Sequence, residues 1–208
     1  MADVALVLEA AADGSVAVLR DGVVLYAAQV PMRGVAADRL FPAVLAAVEA
    51  AGGVEALSRV ICGSGPGSFT SLRVAAGIAK GLCAGGGLPL YAVPSLALGV
   101  PGLAPGRHLL TLDALRGECY AAVYDWDGRV VRAVGAAAIV PAADLASLAA
   151  RAEAGIAPAV PRAAFFPALR DGDLVEGPVD RAAWEPAYGR LAEAQVRWEA
   201  THGRPLAP

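Results

Sequence analysis

The chain has 208 residues, 57% of them hydrophobic, enough for one domain with a real core or two small ones. A net charge of −3 with only 18% charged residues excludes a basic nucleic-acid-binding surface of the chain's own, so contact with RNA or DNA would come through a partner. The three cysteines, Cys62, Cys83 and Cys119, have no CxxC spacing, which excludes a zinc knuckle or redox pair and reads as buried thiols in a reducing cytoplasm.

The N-terminus "MADVALVLEAAADG" carries an early acid, no basic region and too short an apolar run for a signal peptide or a membrane span. A cytoplasmic protein without membrane contact is expected. From there the pattern is strand, turn, strand, turn, strand: an apolar strand ending at Glu9, a second from Ser15 to Leu19, the Asp21-Gly22 turn, and a third. Asp-Gly between apolar runs is a strong hairpin signal, because both residues tolerate positive φ. "AADRLFPAVLAAVEAAGG" then sets Leu40, Val44 and Val48 on one helical face with Phe41 and Leu45 beside them, and stops at Gly52-Gly53.

A buried strand, "SRVICGSG", enters a glycine loop; "SLRVAAGIAKGLCAGGG" follows as a helix and "LPLYAV" as a strand, a right-handed βαβ unit with a parallel strand pair. The helix is nearly bare. Ala75, Ala76, Gly77, Ala79 and Gly81 leave it few side chains, and each interior glycine costs about 1 kcal/mol against alanine, so a closely packed neighbour is expected. That neighbour is either the Leu40–Glu49 helix or another subunit, with Arg73 and Lys80, the chain's one lysine, along the Gly77 edge.

The proline- and glycine-rich "VPSLALGVPGLAPGRH" reads as a linker, with a boundary near Pro105 that divides the chain into lobes 1–104 and 105–208. Beyond it "HLLTLDALRGECYAAVYDWDGRVVRAV" repeats the opening: a strand ending at Asp113, a strand from Cys119 to Tyr124, the Asp127-Gly128 turn and another strand. Two such meanders in corresponding places point to a duplication that sets Glu9 and Asp113 facing each other across a cleft. After Val134 the second half reads as a trimmed copy: a helix over "VPAADLASLAARAEAG" with Pro141 in its first turn, a proline-broken irregular stretch, and a helix from Pro186 to Gly203.

Known nucleotide motifs fail on the glycine loop. A GxxxxGK[ST] loop needs a lysine where none stands before Lys80, and G-x-G-x-x-G meets Ser68 at its third glycine with no acid after the next strand. Gly65 and Gly67 permit close backbone approach, Ser68 or Thr70 can cap the helix, and its free amides would accept an anion. Spacing favours a structural turn over a phosphate cradle. No catalytic constellation stands out: His108 and His202 lack HxxxH or HExxH spacing and read as structural, Ser68 and Ser71 lack a nucleophile elbow, and no metal site is expected. Glutamate at position 9, and no glycine directly after Asp113, read as a degraded phosphotransfer site.

"GSGPGSFTSLRVAAGIAKGL" with "LPLYAVPSL", "LDALRGECYAAVY" and "EPAYGR" resemble the signatures of the TsaB (YeaZ) family, densely from Arg59 to Tyr124 and sparsely from Arg132 to Asp180. The resemblance implies a duplicated actin-like/Hsp70-like, ribonuclease H-like α/β fold with a reduced second lobe. It implies a non-catalytic subunit that pairs with its paralogue TsaD and, with the ATPase TsaE, supports threonylcarbamoyl transfer to tRNA. ATP or ADP and metal then belong to the partner subunits and tRNA is met only through the complex, while a homodimer is an open alternative for the chain in isolation. The family's contact maps onto the first two helices, giving Leu40, Val44, Leu45, Val48, Arg73, Ala76, Gly77, Lys80 and Gly81 as interface residues. Gly65, Gly67, Ser68, Thr70, Glu9 and Asp113 are the candidates for an anion or nucleotide. The alternative within the same fold is an ATP-dependent small-molecule kinase or a peptidase. The chain departs from the family pattern at "EAA" for D-T-S, at Ser71 for glycine, at Leu115 for arginine and at "VAAD" for H-S-E, which points away from nucleotide contact by this subunit and towards a divergent branch.

Overall fold

The computed structural model describes residues 2–32, 36–170, 173–189 and 201–203. Strands β1 (Val4–Glu9), β2 (Gly14–Arg20) and β3 (Val23–Val30) form the first meander, and β1 continues in parallel through β4 (Arg59–Gly63) to β5 (Leu90–Val93). The order is β3-β2-β1-β4-β5. Helices α1 (Ala36–Ala51) and α2 (Phe69–Gly86) cover one face. Side chains alternate along a strand, so Val4, Leu6 and Leu8 of β1 pack under these helices while Ala5 and Val7 face the other way.

The second half rebuilds this topology. Strands β6 (Gly106–Asp113) and β7 (Glu118–Trp126) form the hairpin, β8 (Val131–Ala133) and β9 (Ala138–Pro141) both pair with β7, and β10 (Gly155–Pro158) runs parallel to β6. With β6, β7 and β10 in the places of β1, β2 and β4, the second sheet repeats the first meander-plus-parallel-strand arrangement. Helix α3 (Leu145–Ala152), only eight residues, lies between β9 and β10 where α1 lies between β3 and β4. This is the duplicated actin-like fold with a reduced second copy.

Three expectations need correction. The stretch read as a linker is a 3-10 helix, Ser95–Gly102, in which Leu96, Ala97, Leu98 and Val100 are wholly buried between the sheets. Burying each of these larger side chains stabilises the fold by about 1.5–3 kcal/mol, which outweighs the breaking tendency of Pro101. Pro141 closes β9 and precedes the helical segment instead of lying in its first turn: it caps a 3-10 turn, Ala142–Asp144, that runs on into α3 at Leu145. The proline-broken stretch after Ala154 is structured: it holds β10, the 3-10 turn Ala163–Phe165 and the short helix α4 (Pro167–Arg170), whose Phe166 and Leu169 plug the shared core. The expected C-terminal helix falls largely outside the described residues, and Pro186–Gly189 is not helical.

The β6–β7 hairpin turns through three successive left-handed residues, Leu115, Arg116 and Gly117, at φ of 63°, 56° and 76°. The Leu115 amide donates to Asp113 Oδ1 at 2.8 Å, and the Leu115 side chain is 68% exposed. A left-handed leucine costs about 1–2 kcal/mol and here gains no burial in return. Leu115→Gly is expected to raise unfolding stability by about 1 kcal/mol, read as a higher denaturant midpoint at unchanged m-value.

Candidate functional site

Where β1, β4 and the buried 3-10 helix end together, Gly63 has no side chain and Glu9 fills the space. A Cβ on Gly63 would overlap the Glu9 carboxyl and lie 2.8 Å from Ser95 Oγ. Glu9 is fully buried. The Ala11 amide donates to its Oε1, while Oε2 has no hydrogen-bond partner and the Ser95 hydroxyl as its polar neighbour. Burial pushes its pKa up to about 7, only partly opposed by the Ala11 amide and by the neighbouring Ser95 hydroxyl and Ala10 amide. The same burial, with Glu9 beside it, holds the Cys62 thiol well above its ordinary range.

Glu9 therefore lies in the core, whereas its counterpart Asp113 is exposed and bonds to its own turn. Three amides of the loop between β4 and α2 are occupied. Ser64 N–H donates to Val93 O at 2.8 Å, Gly65 N–H to Ser95 Oγ at 2.9 Å, and Ser68 N–H to Ala11 O at 2.8 Å. Ser68 takes the N-cap position of α2 without a side-chain cap bond; its hydroxyl pairs with that of Ser71 at 2.9 Å. Gly67 abuts Ala11, Gly65 abuts Ala187, and Thr70 sits exposed in the first turn. An actin-like fold implies a nucleotide; here three of the loop donors are engaged within the chain and a carboxyl lies beneath them, which is a poor setting for a phosphate.

The two helices divide sharply into inner and outer faces. Leu40 and Val44 are 0% exposed, and Val48 and Ala76 are also buried, so these four belong to the chain's own core. Phe41 at 48% and Leu45 at 52% exposure point outward from α1. On α2, Arg73, Gly77 and Gly81 are exposed at i, i+4 and i+8, and a Cβ at Gly77 or Gly81 would meet nothing within 4 Å. The bare edge of α2 thus does not accommodate α1. Lys80 is half-buried and pairs with Glu185 at 2.8 Å.

No group of metal-ligating side chains forms among the described residues, and no described helix is long and apolar enough to cross a membrane. A family model described as "TsaD: tRNA N6-adenosine threonylcarbamoyltransferase" matches residues 36–168. The "tRNA threonylcarbamoyladenosine biosynthesis protein TsaB" of Escherichia coli (strain K12) is 39% identical over 82 residues, covering 35% of this chain and 36% of that protein. An uncharacterized protein of Mycobacterium tuberculosis (strain ATCC 25618 / H37Rv) is 46% identical over 105 residues, covering 49% and 46%. The structure of YeaZ from Pseudomonas aeruginosa superposes with a TM-score of 0.61 at 28% identity over 67% of each chain. The chain belongs to the TsaB/YeaZ family.

A second structure, of an uncharacterized protein with similarity to peptidase YeaZ from Pseudomonas aeruginosa, covers 90% of this chain and all of the other at a TM-score of 0.72. At 24% identity it shows the fold alone. The chain spans between about a third and a half of the length of these curated relatives. Sequence reasoning did not foresee that Ser95, Ala187 and Tyr188 meet the glycine loop. Ser95 stood in an assumed linker, and the other two lie more than a hundred residues from the loop.

Because the folded-state pKa of Glu9 is raised from 4.5 to about 7, the folded chain holds more protons than the unfolded chain between those values. Stability is therefore expected to fall as pH rises across that window, by about 3 kcal/mol for this group, and to level off above it. Glu9→Gln should flatten that slope in denaturation curves measured from pH 4.5 to 8; an unchanged slope would show that the carboxyl is not held neutral.

Proposed function

We propose that this chain acts in tRNA N6-threonylcarbamoyladenosine synthesis as a non-catalytic subunit that pairs with a TsaD-type paralogue through the outer faces of α1 and α2. The observation that carries the reading is the pair of unpartnered surfaces side by side. Phe41 and Leu45 offer exposed apolar side chains, and Gly77 and Gly81 offer bare backbone against which another helix can lie. Leu45, Arg73, Gly77 and Gly81 make the contact, with Lys80 at its edge; Leu40, Val44, Val48 and Ala76 support it from within. The engaged loop amides favour a scaffold over a nucleotide enzyme. In this reading the lobes 1–104 and 105–208 share one cytoplasmic subunit, a TsaE-like ATPase and the tRNA join through the complex, and a homodimer uses the same face when the paralogue is absent.

Mixing the purified chain with a TsaD-type paralogue from the same cell should give a stable heterodimer. Gly77→Leu and Leu45→Asp should each weaken it at least about 30-fold, the loss expected for a central contact. Gly77→Leu should not lower the thermal midpoint, since Gly77 faces open space and leucine has the better helix propensity by about 0.8 kcal/mol, and Leu45→Asp should cost only the roughly 0.5 kcal/mol of its poorer propensity. Binding by both variants at the wild-type level would remove this face from the interface. Hydrolysis of ATP or a peptide by the isolated chain would instead favour the enzyme reading, and cells lacking the gene should lose the modified adenosine.

A further inference from the structure

The glycine loop's amides are engaged from below by Ser95 and Ala11, while its upper side is covered by the chain itself. The segment Asp180–Gly189 runs along α2 and ends over the loop. Arg181 donates to Cys83 O at 2.9 Å near the C-terminus of α2. One helical turn back, Glu185 meets Lys80, whose ammonium also lies 5.9 Å from the Trp184 ring centre. At the N-terminus of α2 the Tyr188 ring packs on Phe69 with centres 4.5 Å apart, and Arg73 covers the other ring at 5.1 Å. The Tyr188 hydroxyl donates to Glu185 Oε2 at 2.9 Å, which closes the segment on itself.

Its end is gripped from both halves of the molecule. Ala187 N–H donates to Ser64 O at 2.7 Å, and Ala187 O lies 2.5 Å from where a Cβ on Gly65 would be. Gly65 also has φ of +86°, so no other residue serves both the turn and the approach. From the second sheet, the Tyr120 hydroxyl donates to Tyr188 O at 3.1 Å, and Gly189 presses on the Tyr120 ring where a side chain would collide. The first sheet's loop thus holds Ala187 and the second sheet's β7 holds its neighbours Tyr188 and Gly189.

We propose that the glycine loop, with Phe69 and Tyr120, is a receptor site for an extended Glu-Pro-Ala-Tyr-Gly peptide segment, filled in cis by Asp180–Gly189, which latches the two sheets together and opens as a unit. The contacts are those of peptide recognition: a backbone hydrogen bond, a glycine-lined close approach, an aromatic anchor and an ion pair at the rim. Apart from Pro186 the segment is half-buried or exposed, and its ion pair is partly solvated, so it opens at lower free energy than the sheet cores.

Amide hydrogen exchange on the full-length chain tests this. Tyr188→Ala removes the ring contact and Gly65→Ala drives Ala187 off the loop. Each should speed exchange about ten-fold in 64–72, 118–122 and 180–189 while leaving β1, β2 and β4 unchanged. Added in excess to Tyr188→Ala, a synthetic peptide of residues 180–189 should restore protection at 64–72. Unchanged exchange in the loop, a uniform rise across all strands, or no protection by the peptide would each overturn the proposal; the first would show that the segment does not hold the loop, the second that it is inseparable from the core, the third that the loop is no receptor.

Discussion

The constraint on which the rest of this molecule depends is the junction of Gly63, Glu9 and Ser95 at the strand tips. Because position 63 lacks a Cβ, a carboxyl from β1 reaches under the loop that leaves β4, and Ser95 at the start of the buried 3-10 helix accepts the Gly65 amide beside it. Three segments far apart in sequence are fixed against one another there. An ionised carboxylate at such a place, with one oxygen unpartnered, would be costly, and the raised pKa is the cheaper response: below about pH 7 the protonated form dominates. In that form the group packs as a polar spacer at the strand tips.

The duplicated meander and the helix faces were legible in the chain because they rest on local periodicity. Short apolar runs in β1, β2, β6 and β7, the two Asp-Gly turns, and the i, i+4 spacing of Leu40, Val44 and Val48 each carry their own signal. Beyond Val134 that signal fades for a physical reason. β9 and β10 are four residues each and α3 eight, too short to display a period, and their places come from pairing with β7 and β6. The buried 3-10 helix was misread on composition: Pro94, Gly99, Pro101 and Gly102 look like linker punctuation, while Leu96, Leu98 and Val100 between them form the centre of the shared core. Nothing local marks Ala187 or Tyr188 as loop residues, since their roles arise only when the C-terminal segment returns to the first sheet.

The expectation that α2 is bare because something lies against it divides in two. Its inner edge, Ala75, Ala76, Ala79 and Cys83, is small because the first sheet and its core press there. Its outer edge at Gly77 and Gly81 has no neighbour among the described residues. Between these edges, at the Phe69 and Lys80 phase of the helix, runs the C-terminal segment. A helix with a packed side, a strapped side and an open side meets three different demands with one run of small residues. Composition alone shows only their sum.

The open side is where folding and the proposed docking pull in opposite directions. Gly77 and Gly81 together cost about 2 kcal/mol of helix stability relative to alanine, and no contact among the described residues offsets it. Alanine at either position would meet no atom of the described residues, so their sterics do not require glycine there. A partner backbone crossing at the close distance that glycine allows would require it, because a methyl group at the crossing point pushes the axes apart and loosens the dispersion contacts on both sides. The same logic governs Gly65 under the C-terminal segment, where the approaching backbone is this chain's own and its carbonyl is in place. One glycine whose neighbour is present and two whose neighbour is not are read by a single rule: glycine stands where a backbone has to come close.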